Sequence, residues 1–136
     1  MASERTVISE NVQDYLDKKD WNAAIAEMER LFALVQDPLI RVRIGDARRK
    51  LNRNGEAIRE YVLAADLFAE KGFVGKALAQ YSLVLKLDSS NTNARSKREV
   101  LRSIYPFETL KREPVEYRIP EEFGNALPMA SMGTSP

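Results

Sequence analysis

The residues able to do chemistry are few, and their types narrow what that chemistry could be. The 136-residue chain has no histidine and no cysteine, which removes the commonest general base, the usual transition-metal ligand and the thiolate nucleophile. Gly72-Phe73-Val74-Gly75-Lys76 has the ingredients of a phosphate-binding loop. Such a loop needs four residues between its glycines and a Ser or Thr after the lysine. Here only Phe73 and Val74 intervene and Ala77 follows, so the segment reads as a turn between helices. The run from Arg41 to Arg53 sets Arg41, Arg43, Arg48, Arg49, Lys50 and Arg53 against Asp46 alone. It could bind an acidic peptide or a phosphate, with Arg48, Arg49 and Lys50 as the contacts of a nucleotide sensor. The plainer reading is a solvated helix face whose charge Glu56 and Glu60 offset. Nucleic acid is not expected, because the net charge is +1 and no aromatic residues interleave the cations. Glu121 and Glu122 are adjacent carboxylates without a scaffold to fix their separation, which acid–base catalysis by a carboxylate pair requires.

One further segment has a usable pattern. In Pro114 to Phe123, apolar Val115, Tyr117 and Ile119 alternate with Glu116 and Arg118, and Phe123 follows. Alternation suits an extended peptide lying in a groove. The segment reads either as a docking motif, on this chain or on another, or as a linker.

Positioning such groups requires a folded array, and the chain divides in two. Residues 1–105 hold one proline, Pro38, whereas residues 106–136 hold the other five. Closely spaced prolines remove amide donors and clash with preceding turns, so 106–136 is expected to be an extended or disordered tail. Residues 4–105 read as an all-α domain. Its composition, 44% hydrophobic and 30% charged, is enough for a core. No stretch approaches the roughly 18 apolar residues of a spanning helix. The mixed, charged start MASERTVISENV lacks the features of a secretory signal, and a cytoplasmic location is expected.

Six helices follow from apolar spacing. The first, over 4–18, lines up Ile8, Val12, Tyr15 and Leu16. The second, over 20–35, is capped by Asp20 and lines up Ala24, Met28, Leu31, Phe32 and Val35. The third opens at Asp37-Pro38, a cap with proline at the first helical position, and lines up Ile40, Ile44, Ala47 and Leu51. Asn54-Gly55 is expected to break the chain. The fourth helix lines up Ala57, Tyr61, Ala64, Ala65 and Phe68, and Gly72 ends it in a left-handed conformation. A fifth lines up Val74, Ala77, Leu78, Tyr81, Val84 and Leu85. Ser90 or Asn91 starts a sixth with Ala94, Leu101 and Ile104 inward, closed by Pro106 and polar enough to cap an array. Breaks this short turn each helix back against its neighbour.

The helices repeat. Ala24 recurs as Ala57, 33 residues on, and again as Ala77, each followed four residues later by a large side chain: Met28, Tyr61 and Tyr81. This resembles the tetratricopeptide repeat, with its period of about 34 residues. Counting from Pro38, Gly45, Ala57, Tyr61 and Ala64 fall on that family's characteristic small, small, aromatic and small positions. The unit before it departs at Val12 and Met28. The third match is out of phase, since Ala77 follows Ala57 too soon. Either the fourth helix serves two units, or the pairing is regular and the fifth helix only carries second-helix packing residues.

The resemblance implies a solenoid of antiparallel helical hairpins, a superhelix without cofactor or catalytic residues. Its concave groove would bind a peptide or helix of a partner protein, as an adaptor or scaffold. The family's inner-face positions fall on Gln13, Val42, Asp46, Arg49 and Lys50. The lysine and asparagine by which some members clamp a peptide C-terminus are replaced by Ser9 and Gln13. Residues 65–81 are similar in wording to bacterial repeat modules of signalling and motility proteins, so a regulatory fragment of such a protein is an alternative. A second is a self-associating module, a homo-oligomer whose groove takes its own or a neighbour's tail.

Overall fold

In a computed structural model of the chain, residues 3–105 are described. They form six helices and, among the described residues, no strand: α1 (Glu4–Asp17), α2 (Trp21–Val35), α3 (Pro38–Lys50), α4 (Asn54–Glu70), α5 (Val74–Leu87) and α6 (Thr92–Ile104). Each helix packs on its neighbour in sequence, and α4 packs extensively on both α3 and α5. The fold is therefore the expected all-α array of antiparallel hairpins. The expected tail over 106–136, with Val115, Tyr117, Ile119 and Phe123, lies outside the described residues.

The helix starts follow capping chemistry. Asp20, Asp37 and Asn91 accept the amide hydrogens of Ala23, Leu39 and Ala94 at 3.2, 2.9 and 2.9 Å, satisfying donors that a first turn otherwise leaves orphaned. Asp37 sits in a buried corner, and loss of hydration pushes its carboxyl up to about 6, against the opposing pull of the Leu39 amide and Lys71.

Three of the turns are the same turn. Lys19, Asn52 and Gly72 each take the left-handed conformation (φ 58, 61 and 86°). The next amide in each case reaches back to the helix just ended, Asp20 to Tyr15, Arg53 to Arg48 and Phe73 to Phe68, all at 2.9 Å. This closure satisfies orphan carbonyls and launches the next helix at a fixed angle. Gly72 behaves as expected. Asn54-Gly55 does not break the chain: both residues are helical, because Asn52 already supplies the left-handed residue and the turn is complete before them. The α2–α3 and α5–α6 connections are built differently, with Gln36 left-handed in the first and Asp88 to Asn91 spanning the second.

The shared turn joins α1 to α2, α3 to α4 and α4 to α5. A hydrogen bond repeats the last two. The Tyr61 hydroxyl of α4 donates to Asp46 Oδ1 of α3 at 2.6 Å, and the Tyr81 hydroxyl of α5 donates to Asp66 Oδ1 of α4 at 2.5 Å. The fourth helix thus serves as second helix to α3 and first helix to α5, which accounts for the early recurrence of Ala77.

The core runs along the expected lines. Ala57, Tyr61, Ala64, Ala65 and Phe68 of α4 have no exposed surface, and Met28, Leu31, Ile40 and Ile44 join them from α2 and α3. Burial of each large side chain contributes about 1.5–3 kcal/mol. At Gly45 the helices approach so closely that a β-carbon would stand 2.7 Å from Tyr61 Cε1. Ile104 departs from expectation. It is 59% exposed rather than inward, because it lies in the last turn of α6, on a side that no described helix covers.

Candidate functional site

The basic run of α3 proves to be two different things. Arg41 meets Glu29 of α2 at 3.0 Å and Glu60 of α4 at 3.2 Å, with its guanidinium 4.2 Å from the centre of the Phe32 ring. Arg48 meets Glu56 at 2.7 Å and Glu60 at 3.4 Å. These cations tie three helices together, and the expected offset by Glu56 and Glu60 is the reason they are not available to an outside anion. Arg43 is buried against Asp46 at 2.9 Å. Arg49, Lys50 and Arg53 stay exposed at the end of α3.

The five positions placed by family analogy do not make one surface. Val42 is fully buried in the core and has nothing to offer a partner; the third helix is turned so that this side packs inward. Asp46 already accepts from Tyr61 and Arg43. Gln13 donates to Asp17 on its own helix at 2.6 Å. Arg49 lies beside the Tyr61 hydroxyl, and burial together with the Asp46 carboxylate pushes that hydroxyl's pKa well above the usual phenol range. Only Arg49 and Lys50 stand together in solvent. The phosphate-sensing set Arg48, Arg49 and Lys50 loses Arg48 to the clamp.

A second candidate lies between α4 and α6, which meet through Lys97 and Asp66 across one edge of α5. Lys97 of α6 contacts both oxygens of Asp66 at 3.0 and 3.1 Å, and the same carboxylate accepts from Tyr81. Above this polar floor is an open depression of about 280 Å³. Ile58, Val62 and Leu63 give it an apolar wall, and Arg59, Asn93 and Lys97 give it a polar rim. Leu63 is 41% exposed, and the α6 face continues from Lys97 into Val100, 52% exposed, and Ile104. An apolar strip edged with cations can hold a polypeptide by side-chain burial and orient it by charge.

Sequence reasoning missed this site. Its signal was present in Leu63, which falls off the Ala57–Tyr61–Ala64 core line, and in Val100 and Ile104 among the cations of α6. The placement of α6 beside α4 was what could not be read.

Among the described residues, no group of three acidic side chains is placed to hold a metal ion, and no helix is long and apolar enough to cross a membrane. Comparison of the chain with protein-family models, with curated proteins and with solved structures gives no match.

Proposed function

We propose that this chain is a non-catalytic protein-interaction module, a helical-repeat adaptor of tetratricopeptide type that holds a short polypeptide against its helices. The observation that carries this reading is the α4–α6 depression: three apolar side chains of α4 left in reach of solvent beside a cation-bearing helix. Exposed apolar surface rimmed by polar groups is characteristic of docking sites. The favoured seat differs from the family's inner-face positions, because Val42 is buried and Asp46 is engaged. Arg49 and Lys50 form a secondary contact for acidic residues of the same partner. Association with a larger bacterial signalling or motility assembly in the cytoplasm fits the wording of residues 65–81.

The test is site-specific photocross-linking in cells, with a benzoylphenylalanine in place of Leu63 or of Lys50 in the full chain. Discrete polypeptide adducts from position 63, stronger than those from position 50, are the expected result. Absence of polypeptide adducts at both positions would refute the module reading. Adducts from position 50 alone would return the seat to α3.

A further inference from the structure

The α4–α6 seat has an occupant encoded in the same chain. Resting on the interaction reading above, we propose that residues 114–123 dock in cis into this seat, running antiparallel to α6 from Ile104 back toward Arg59.

Connectivity supplies the first argument. The described structure ends at Tyr105, one residue beyond α6, at the end of the exposed strip formed by Val100 and Ile104. Residues 106–113 form an eight-residue spacer that reaches roughly 26 Å when extended, whereas α6 is only about 20 Å long. The spacer is therefore long enough to reverse direction. A segment this close to its site also has a high effective concentration, so modest contacts suffice.

Side-chain pattern supplies the second. In an extended strand Val115, Tyr117 and Ile119 project to one side at intervals of about 6.6 Å. Ile104, Val100 and Lys97 on successive turns of α6 span about 10.5 Å, against about 13 Å for the three strand side chains, so the two rows cover strips of similar length. Pro114 and Pro120 favour the extended backbone and lack amide donors that a helical surface could not satisfy.

Charge supplies the third. Helix α6 carries Arg95, Lys97, Arg98 and Arg102 against Glu99, while residues 114–123 carry Glu116, Glu121 and Glu122 against Arg118. Of those four cations, only Lys97 has a carboxylate within ion-pair distance among the described residues. In the antiparallel direction Glu121 and Glu122 arrive at the end of the seat where Arg59 stands. Cis docking makes the tail a competitor for any outside polypeptide at the same face.

The experiment uses the full chain. Since it has no native cysteine, Ser96→Cys and Asn125→Cys can be spin-labelled specifically and their separation measured by double electron–electron resonance. The expected result is a narrow distribution centred on the order of 20 Å, because Ser96 lies about 6 Å inside α6 and Asn125 about 10 Å of extended chain past Glu122. Val100→Asp with Ile104→Asp should disperse it, and so should Tyr117→Asp with Ile119→Asp. Circular dichroism should stay unchanged, as Val100 and Ile104 are exposed. A distribution already broad in the parent, or one that ignores both pairs of substitutions, overturns the proposal. So does a narrow peak in a mixture of singly labelled chains, which would identify a second copy as the occupant. None of these outcomes removes position-63 adducts to other polypeptides, so the interaction reading stands or falls separately.

Discussion

The α3–α4 and α4–α5 hairpins are built to one plan and finished differently. Both use the left-handed turn, and both bond a tyrosine to a carboxylate across the pair, Tyr61 to Asp46 and Tyr81 to Asp66. In the first, Gly45 precedes the aspartate and leaves no room for a β-carbon. In the second, Ala65 stands in the equivalent place. Asp46 completes its bonding with Arg43 of its own helix, whereas Asp66 turns to Lys97 of α6. The first hairpin is also clamped by Arg41 and Arg48 through Glu60. The same hairpin can thus be closed into a rigid centre or left to floor a binding surface, and the third partner of the aspartate decides which.

Substitutions can sharpen that contrast. Gly45→Ala is expected to cost the most, about 2–3 kcal/mol, because Tyr61 is buried and held by Asp46 and cannot swing away. Chemical denaturation measures it. Glu60→Gln, which strips two arginines of a shared partner in a half-buried network, should cost about 2 kcal/mol, with no counterpart in α4–α5. Tyr61→Phe and Tyr81→Phe should each cost about 1 kcal/mol. A large inequality between them would break the equivalence of the two hairpins.

A separate effect is a dependence on pH. The Asp37 carboxyl is raised to about 6 from an ordinary value of 3.8, so between these limits the folded chain holds a proton that the unfolded chain has lost. Stability contributed by this group is therefore full at low pH and declines as pH rises through 6. Asp37→Asn keeps the helix cap and should flatten that slope in urea titrations between pH 4 and 7. A steeper slope in the variant would contradict the burial of this corner.

Much of this fold was legible from residues alone. The line Ala57, Tyr61, Ala64, Ala65, Phe68 is wholly buried, because apolar period and helix geometry are one constraint. The break at Asn54-Gly55 was misplaced because asparagine tolerates a left-handed backbone almost as glycine does, and only the turn's hydrogen bonds show that Asn52 was used. The double role of α4 was visible as a choice between two phases, and the repeated Tyr–Asp bond decides it. The seat was not legible. Whether Leu63 or Val100 is covered depends on how α4 and α6 meet across α5, a relation that no local pattern contains.

The most direct measurement is a nuclear magnetic resonance comparison of the full chain with a variant in which Val115, Tyr117, Ile119 and Phe123 are all serine. The expected result is a set of amide shift changes confined, within 3–105, to the α4 and α6 residues that line the seat, among them Arg59, Leu63, Asn93, Lys97 and Val100. Changes centred instead on Gln13, Arg49 and Lys50 would contradict the placement of the seat. No change within 3–105 would contradict its occupation by the tail.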